Sequence, residues 1–149
     1  MMSWPGTGLC FVLSSLLLVG CDGSPPTDRP LTVLSVAADC DMLRGCEAGD
    51  SDLAVLLSFD APPRALKPFP IHLRQIRGQS AESASVSFAM EGMDMGLNRY
   101  RMVGDAAGGW QANVTLPVCV SGRSDWIATF ELATTARRVR IPAAFVLGK

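Results

Sequence analysis

Apolar side chains recur at every second position through most of the chain after residue 30. That is the period of an extended strand with one buried face. Leu53, Val55, Leu57 and Phe59 alternate with Ala54, Leu56, Ser58 and Asp60. Ala84, Val86, Phe88 and Met90 alternate with Ser83, Ser85, Ser87 and Ala89, and Trp110, Ala112, Val114 and Leu116 with Gln111, Asn113 and Thr115. The pattern returns at Trp126, Ala128, Phe130 and Leu132, and again at Val139, Ile141, Ala143 and Phe145. Further strands are expected over 31–38, 69–77 and 97–103. One apolar and one wet face per strand is the antiparallel pattern. Short strands separated by Gly, Pro and Asp turns predict an all-β fold, an immunoglobulin-like antiparallel β-sandwich of about seven to eight strands. No segment has a helical period, and no internal repeat is present. Pro142 marks the last run as an edge strand or a bulge. Strand phase places Trp110, Trp126 and Met102 in the core.

The first thirty residues read differently. Residues 9–19 are almost wholly apolar, the length of a secretory core and short of the roughly 20 residues that span a bilayer. The run ends at Leu18-Val19-Gly20-Cys21, which resembles the bacterial lipoprotein box, although residues 1–8 carry no Lys or Arg. In that box a peptidase cuts before the cysteine, which is then acylated. The sequence thus divides into a signal peptide (1–20), a flexible tether from a lipidated Cys21 (21–30) and a β-sandwich domain (31–149). Three prolines and almost no apolar side chain in 22–30 suit a tether. The acyl chains make the lipid bilayer a partner. A periplasm-facing bacterial envelope protein is expected, and Asp22 after the cysteine favours the inner membrane.

Charge excludes more than it suggests. Thirteen basic residues, eleven of them Arg, stand against 14 acidic ones, so there is no footprint for nucleic acid and no polybasic run. Enzyme templates are missing too: there is no Gly-x-Ser-x-Gly, no Walker loop and no His-Glu-x-x-His. The one histidine, His72, lies between Ile71 and Leu73 and is phased toward solvent. Asp94 and Asp125 have no spacing that makes a carboxylate pair. A protein that is not an enzyme is expected.

Once Cys10 and Cys21 are set aside, Cys40, Cys46 and Cys119 remain, an odd number. One disulfide and one free thiol is the simplest count. Cys40 and Cys46 flank a turn expected between the first two strands, where a cross-strand bridge fits. The two pairings through Cys119 stay open.

Beyond the signal, four of the five methionines fall within residues 90–102. Met93 and Met95 flank Asp94 between Gly92 and Gly96, and in extended backbone both thioethers face one side. A bulge at Gly92 would bring Met90 alongside. Neutral, soft sulfur donors suit Cu(I) and discriminate against hard cations. A free Cys119 would add a thiolate to this set. Methionine also fills cores, and Met-rich loops make adaptable contact surfaces.

The run Met90-Glu-Gly-Met-Asp-Met-Gly96, with Asn98-Arg-Tyr-Arg-Met102 and the later Leu116-Pro-Val-Cys-Val-Ser-Gly-Arg-Ser-Asp-Trp126, resembles the YtkA-like and FixH-like group. These are small exported bacterial β-sandwich modules. The resemblance implies that Met93 and Met95 face a copper ion, with Met90 next, and that the partner is an oxidase-assembly or copper-handling protein. Leu97 and Asn98 stand where such motifs often carry a histidine. Two functions follow: a lipoprotein that binds or delivers Cu(I), or an envelope interaction module that uses the Met loop as a contact surface.

Overall fold

The computed structural model describes residues 28–93, 96 and 98–148. Ten strands follow in order: β1 (Leu31–Val33), β2 (Cys46–Gly49), β3 (Ala54–Phe59), β4 (Phe69–Arg77), β5 (Ser83–Ala89), β6 (Arg99–Arg101), β7 (Val103–Gly104), β8 (Gly109–Val114), β9 (Asp125–Ala133) and β10 (Arg138–Val146). They form two five-stranded sheets, ordered β1-β10-β9-β5-β6 and β2-β3-β4-β8-β7. No helix occurs among the described residues. The protein is an all-β sandwich.

The expected inward phases form the core between the sheets. Val55, Leu57, Ile71 and Leu73 from one sheet, with Val86, Phe130, Leu132 and Ile141 from the other, are all buried. Phe145 joins them edge-to-face, with ring centroids 5.2 Å from Phe59 and 6.1 Å from Phe88. Trp126 is fully buried, but Trp110 is only partly so. Its phase is inward, yet it sits near the start of β8, opposite the two-residue β7, where little chain covers it.

Three strand expectations are corrected. The run over 31–38 stops pairing after Leu34, whose N–H donates to the Arg140 carbonyl at 2.9 Å. The next donor on β10 would be Pro142, which has no N–H, so the ladder ends there. Pro142 thus lies on the outer edge of β10. β1 also runs parallel to β10, the one parallel strand pair in a set otherwise antiparallel. The run over 97–103 is two strands rather than one. β6 pairs with β5 and β7 pairs with β8, so the chain changes sheet at Met102, which is 2% exposed and donates its N–H to the Ala84 carbonyl. The short β2 had no separate expectation, because Cys-Glu-Ala-Gly carries little apolar signal.

The sandwich has two distinct poles. At one, the turns 78–82 and 134–137 meet the incoming chain: Arg29 pairs with Glu82 and with the Thr134 carbonyl, and Arg138 N–H donates to the Pro30 carbonyl. At the other, the loops 60–68 and 115–124 and the turn 90–93 gather beside the end of β10. There Leu66 N–H donates to the Leu116 carbonyl and Leu147 N–H to the Ser124 carbonyl.

Candidate metal centre

The sulfur residues meet at this second pole. β5 delivers Met90 to its end with an inward, buried side chain. The chain then turns through Glu91 and Gly92, whose φ of +72° favours a residue without Cβ. Met93 N–H returns to the Met90 carbonyl at 3.2 Å, and the two residues form an antiparallel bridge. The approach expected from a bulge is therefore made by a tight turn. Bridged residues project to the same side, which sets Met90 and Met93 together.

Cys119 arrives from loop 115–124. Its thiol is buried at 5% exposure, and its Sγ lies 3.3 Å from the Met93 Sδ, although 26 residues separate them. Ser121 Oγ stands 3.0 Å from the same sulfur, and Gly122 N–H caps the Cys119 carbonyl at 3.0 Å. Arg123 straps this loop to the Met turn. Its Nη1 donates to the Glu91 carbonyl at 3.0 Å, while its Nε and Nη2 engage the Asp125 carboxylate. The Ser121 hydroxyl bond, then the Ser121 backbone N–H, hold the Cys119 thiol pKa below its ordinary value, with smaller help from Arg123. Such a thiol yields a thiolate more readily, and the thiolate is the ligand form.

Cys119 is free because Cys40 and Cys46 form the disulfide, with a Cα–Cα separation of 5.6 Å. The bridge is not cross-strand, however. Cys46 opens β2, whereas Cys40 lies in the preceding loop, and Asp41 organises the turn between them by accepting N–H bonds from Leu43, Arg44 and Gly45. Met95, Asp94, Leu97 and Cys21 lie outside the described residues. Met102 is a core residue at the sheet-changing corner. His72 faces outward as phased, with Nε2 2.9 Å from Asp60 Oδ2.

The register adds Trp126 to the neighbourhood. Ala89 pairs with Ile127, so the next position sets Met90 against Trp126 on the inward face. The indole Nε1 is buried without a hydrogen-bond partner among the described residues. The donors at this pole are thus two thioethers and a thiol of lowered pKa against an apolar wall. Among the described residues no three His, Cys, Asp or Glu side chains form a hard or borderline site. A soft monovalent ion fits this chemistry. Ser121 and Arg123 carried no flag in sequence beyond their place after Cys119. No family model, curated protein or solved structure matches the chain.

Proposed function

We propose that this chain is a bacterial envelope lipoprotein, acylated at Cys21, that binds Cu(I) at the loop pole and passes it on within oxidase assembly or copper handling. The observation that carries the reading is the contact between Cys119 Sγ and Met93 Sδ at 3.3 Å. Two residues named in sequence as members of one soft donor set come together there, with Met90 one turn away. Cys119 supplies the charge that neutralises Cu(I) and loses its proton to water on binding. Met93 and Met90 supply neutral soft donors, and Met95 follows Met93 by two positions in the sequence. The sheet order β3-β4-β8-β7 against β10-β9-β5-β6 supports an immunoglobulin-like version of the sandwich. It agrees with the resemblance to the YtkA-like and FixH-like group.

The test is an anaerobic competition titration against a Cu(I) chelator. Wild type should take one Cu(I) per chain, Cys119→Ser should weaken it strongly, and Met93→Leu/Met95→Leu should abolish it while the fold persists. Leu keeps volume and apolarity, so the swap costs under about 1.5 kcal/mol even in a core. Equal affinity in all three proteins, or none in any, ends the copper reading.

A second reading has its own support. Val118 and Val120 flank Cys119 and are 58% and 105% exposed. Aliphatic side chains displayed on a loop suit an envelope interaction module whose Met turn is a contact surface.

A further inference from the structure

The outward face of the β1-β10-β9-β5-β6 sheet assembles a charge pattern that the linear sequence hides. Register aligns Arg101, Ser85, Glu131, Arg140 and Val33 in one row across five strands. Arg99 and Arg138 lie on the same face, two residues to either side. Glu131 is shared by two of these arginines, Arg99 and Arg140, the latter at 2.8 Å. Among the described residues Arg101 and Arg138 make no side-chain hydrogen bond or ion pair, and the buried Nε of Arg138 has no acceptor. Four guanidiniums thus face Glu131, a surplus of three positive charges, and the nearby Glu82 carboxylate is already taken by Arg29. Beside Glu131 opens a cleft of about 300 Å³, lined by Leu31, Ser83, Ser85, Arg99, Arg138 and the Glu131 carboxylate that Arg99 and Arg140 neutralise.

The edge of this face is apolar. Leu31 and Val33 are 42% and 58% exposed on β1, in register with Arg138 and Arg140. β1 continues directly from Arg29 and Pro30, at the pole where the described chain begins.

We propose that this arginine face docks on the anionic phospholipid surface of the membrane that holds the chain. The proposal rests on the acylated Cys21 for where the bilayer lies. Seven residue steps separate Cys21 from Asp28, which span at most about 25 Å fully extended. The bilayer is therefore within reach of this face. Guanidinium forks match phosphate oxygens in geometry and stay charged at any physiological pH. The negative surface potential of anionic lipid draws basic side chains close, and exposed aliphatics at the rim enter the interfacial layer. Ser83 and Ser85 hydroxyls line the cleft as neutral donors to a phosphate. Because Arg101 and Arg138 are unpaired, their charge is available without breaking an internal ion pair.

The test uses the full acylated protein in nanodiscs of phosphatidylcholine, with and without phosphatidylglycerol. Arginines are modified with phenylglyoxal, and each site is followed by mass spectrometry. Phosphatidylglycerol should slow modification of Arg101 and Arg138 several-fold, high salt should reverse this, and Arg44 and Arg123 should not respond. Arg101→Gln/Arg138→Gln should lose the phosphatidylglycerol-dependent protection that remains at Arg99 and Arg140. Equal rates in both discs overturn the proposal while leaving the anchor intact. Protection by inorganic phosphate in phosphatidylcholine discs to the same extent also overturns it, since the face would then be a free-anion site. A chain without acyl groups on Cys21 ends the anchor reading and this one together.

Discussion

Arg137 clasps Asp50 across the sandwich, Nη1 to Oδ2 at 2.8 Å and Nη2 to Oδ1 at 3.0 Å. Arg137 belongs to the β9–β10 turn of one sheet and Asp50 to the β2–β3 turn of the other. The pair therefore links the sheets at the pole opposite the sulfur residues. Asp50 Oδ1 also accepts the Asp52 and Leu53 N–H groups, so the carboxylate shapes its own turn. Thr134 holds the partner turn, with its Oγ1 accepting from Ala136 and Arg137 N–H.

Arg137 first, then the Asp52 N–H, hold the Asp50 carboxyl well below the usual carboxylate range against the opposing effect of burial. A depressed native pKa makes stability from this group complete above the unfolded value, near pH 4. That stability is lost as pH falls below it toward the native value. Asp50→Asn should flatten the fall of the urea midpoint between about pH 5 and pH 3. Chemical denaturation across that window checks it, and an unchanged pH slope would sink the assignment.

Ser121 lowers the Cys119 pKa through its hydroxyl, so the thiolate forms at lower pH than for an ordinary cysteine. Ser121→Ala should move the pH midpoint of Cys119 alkylation upward. The rate profile with iodoacetamide, taken without metal, measures this directly. No movement would mean that the hydroxyl does not set the thiol.

Arg123→Gln should release the Glu91 carbonyl and the Asp125 carboxylate together. Hydrogen exchange should then rise in residues 91–93 and 118–123, and on the proposed copper reading the Cu(I) affinity should fall about tenfold. The urea midpoint should barely change, as is usual for a surface substitution. Rescue by Arg123→Lys is expected to be partial, because an ammonium lacks the two-pronged fit to a carboxylate. Unaltered exchange in both segments would refute the strap.

Trp126→Ala should cost about 3–5 kcal/mol, the range for an aromatic removed from a full core. Trp110→Ala should cost clearly less, since it is only partly buried. Equal losses in urea unfolding would contradict that difference.

Removing the Cys40–Cys46 bridge as Cys40→Ala/Cys46→Ala should cost about 2 kcal/mol, the chain-entropy value for so short a loop. Thermal unfolding of the oxidised protein and the double variant tests it, and a loss near zero would contradict it.

Alternation carried the fold far. Phe69–Arg77 is a strand over the expected span, and the inward sets of β3, β5, β9 and β10 are the core. Period-2 reasoning works where one face is dry, and it fails where strands are too short to show a period. β2 and β7, with four and two residues, are such cases. The sheet change at Met102 was invisible because its apolar phase continues through the corner. At the sulfur pole the residue types were legible, but the Met93–Cys119 contact depends on two loops meeting. The arginine face was hidden for a similar reason: residues 99 and 101 reach residues 138 and 140 only through the register of β5 and β9. Net charge, at −1, averaged it away.

The missing N–H of Pro142 reaches beyond the end of one ladder. Arg140, Pro142, Ala144 and Val146 turn their backbone groups to the outer edge of β10, and only Arg140 is taken up by β1 pairing. An open edge of this kind invites a strand from another molecule. Pro142 removes the donor that would carry such pairing past Arg140, while segment 35–38 and Cys40 line a cavity beside the same stretch. Edge-to-edge stacking of this kind is fastest where copies of a chain stand at high local concentration. One imino acid therefore helps to keep neighbouring copies from growing into a shared sheet.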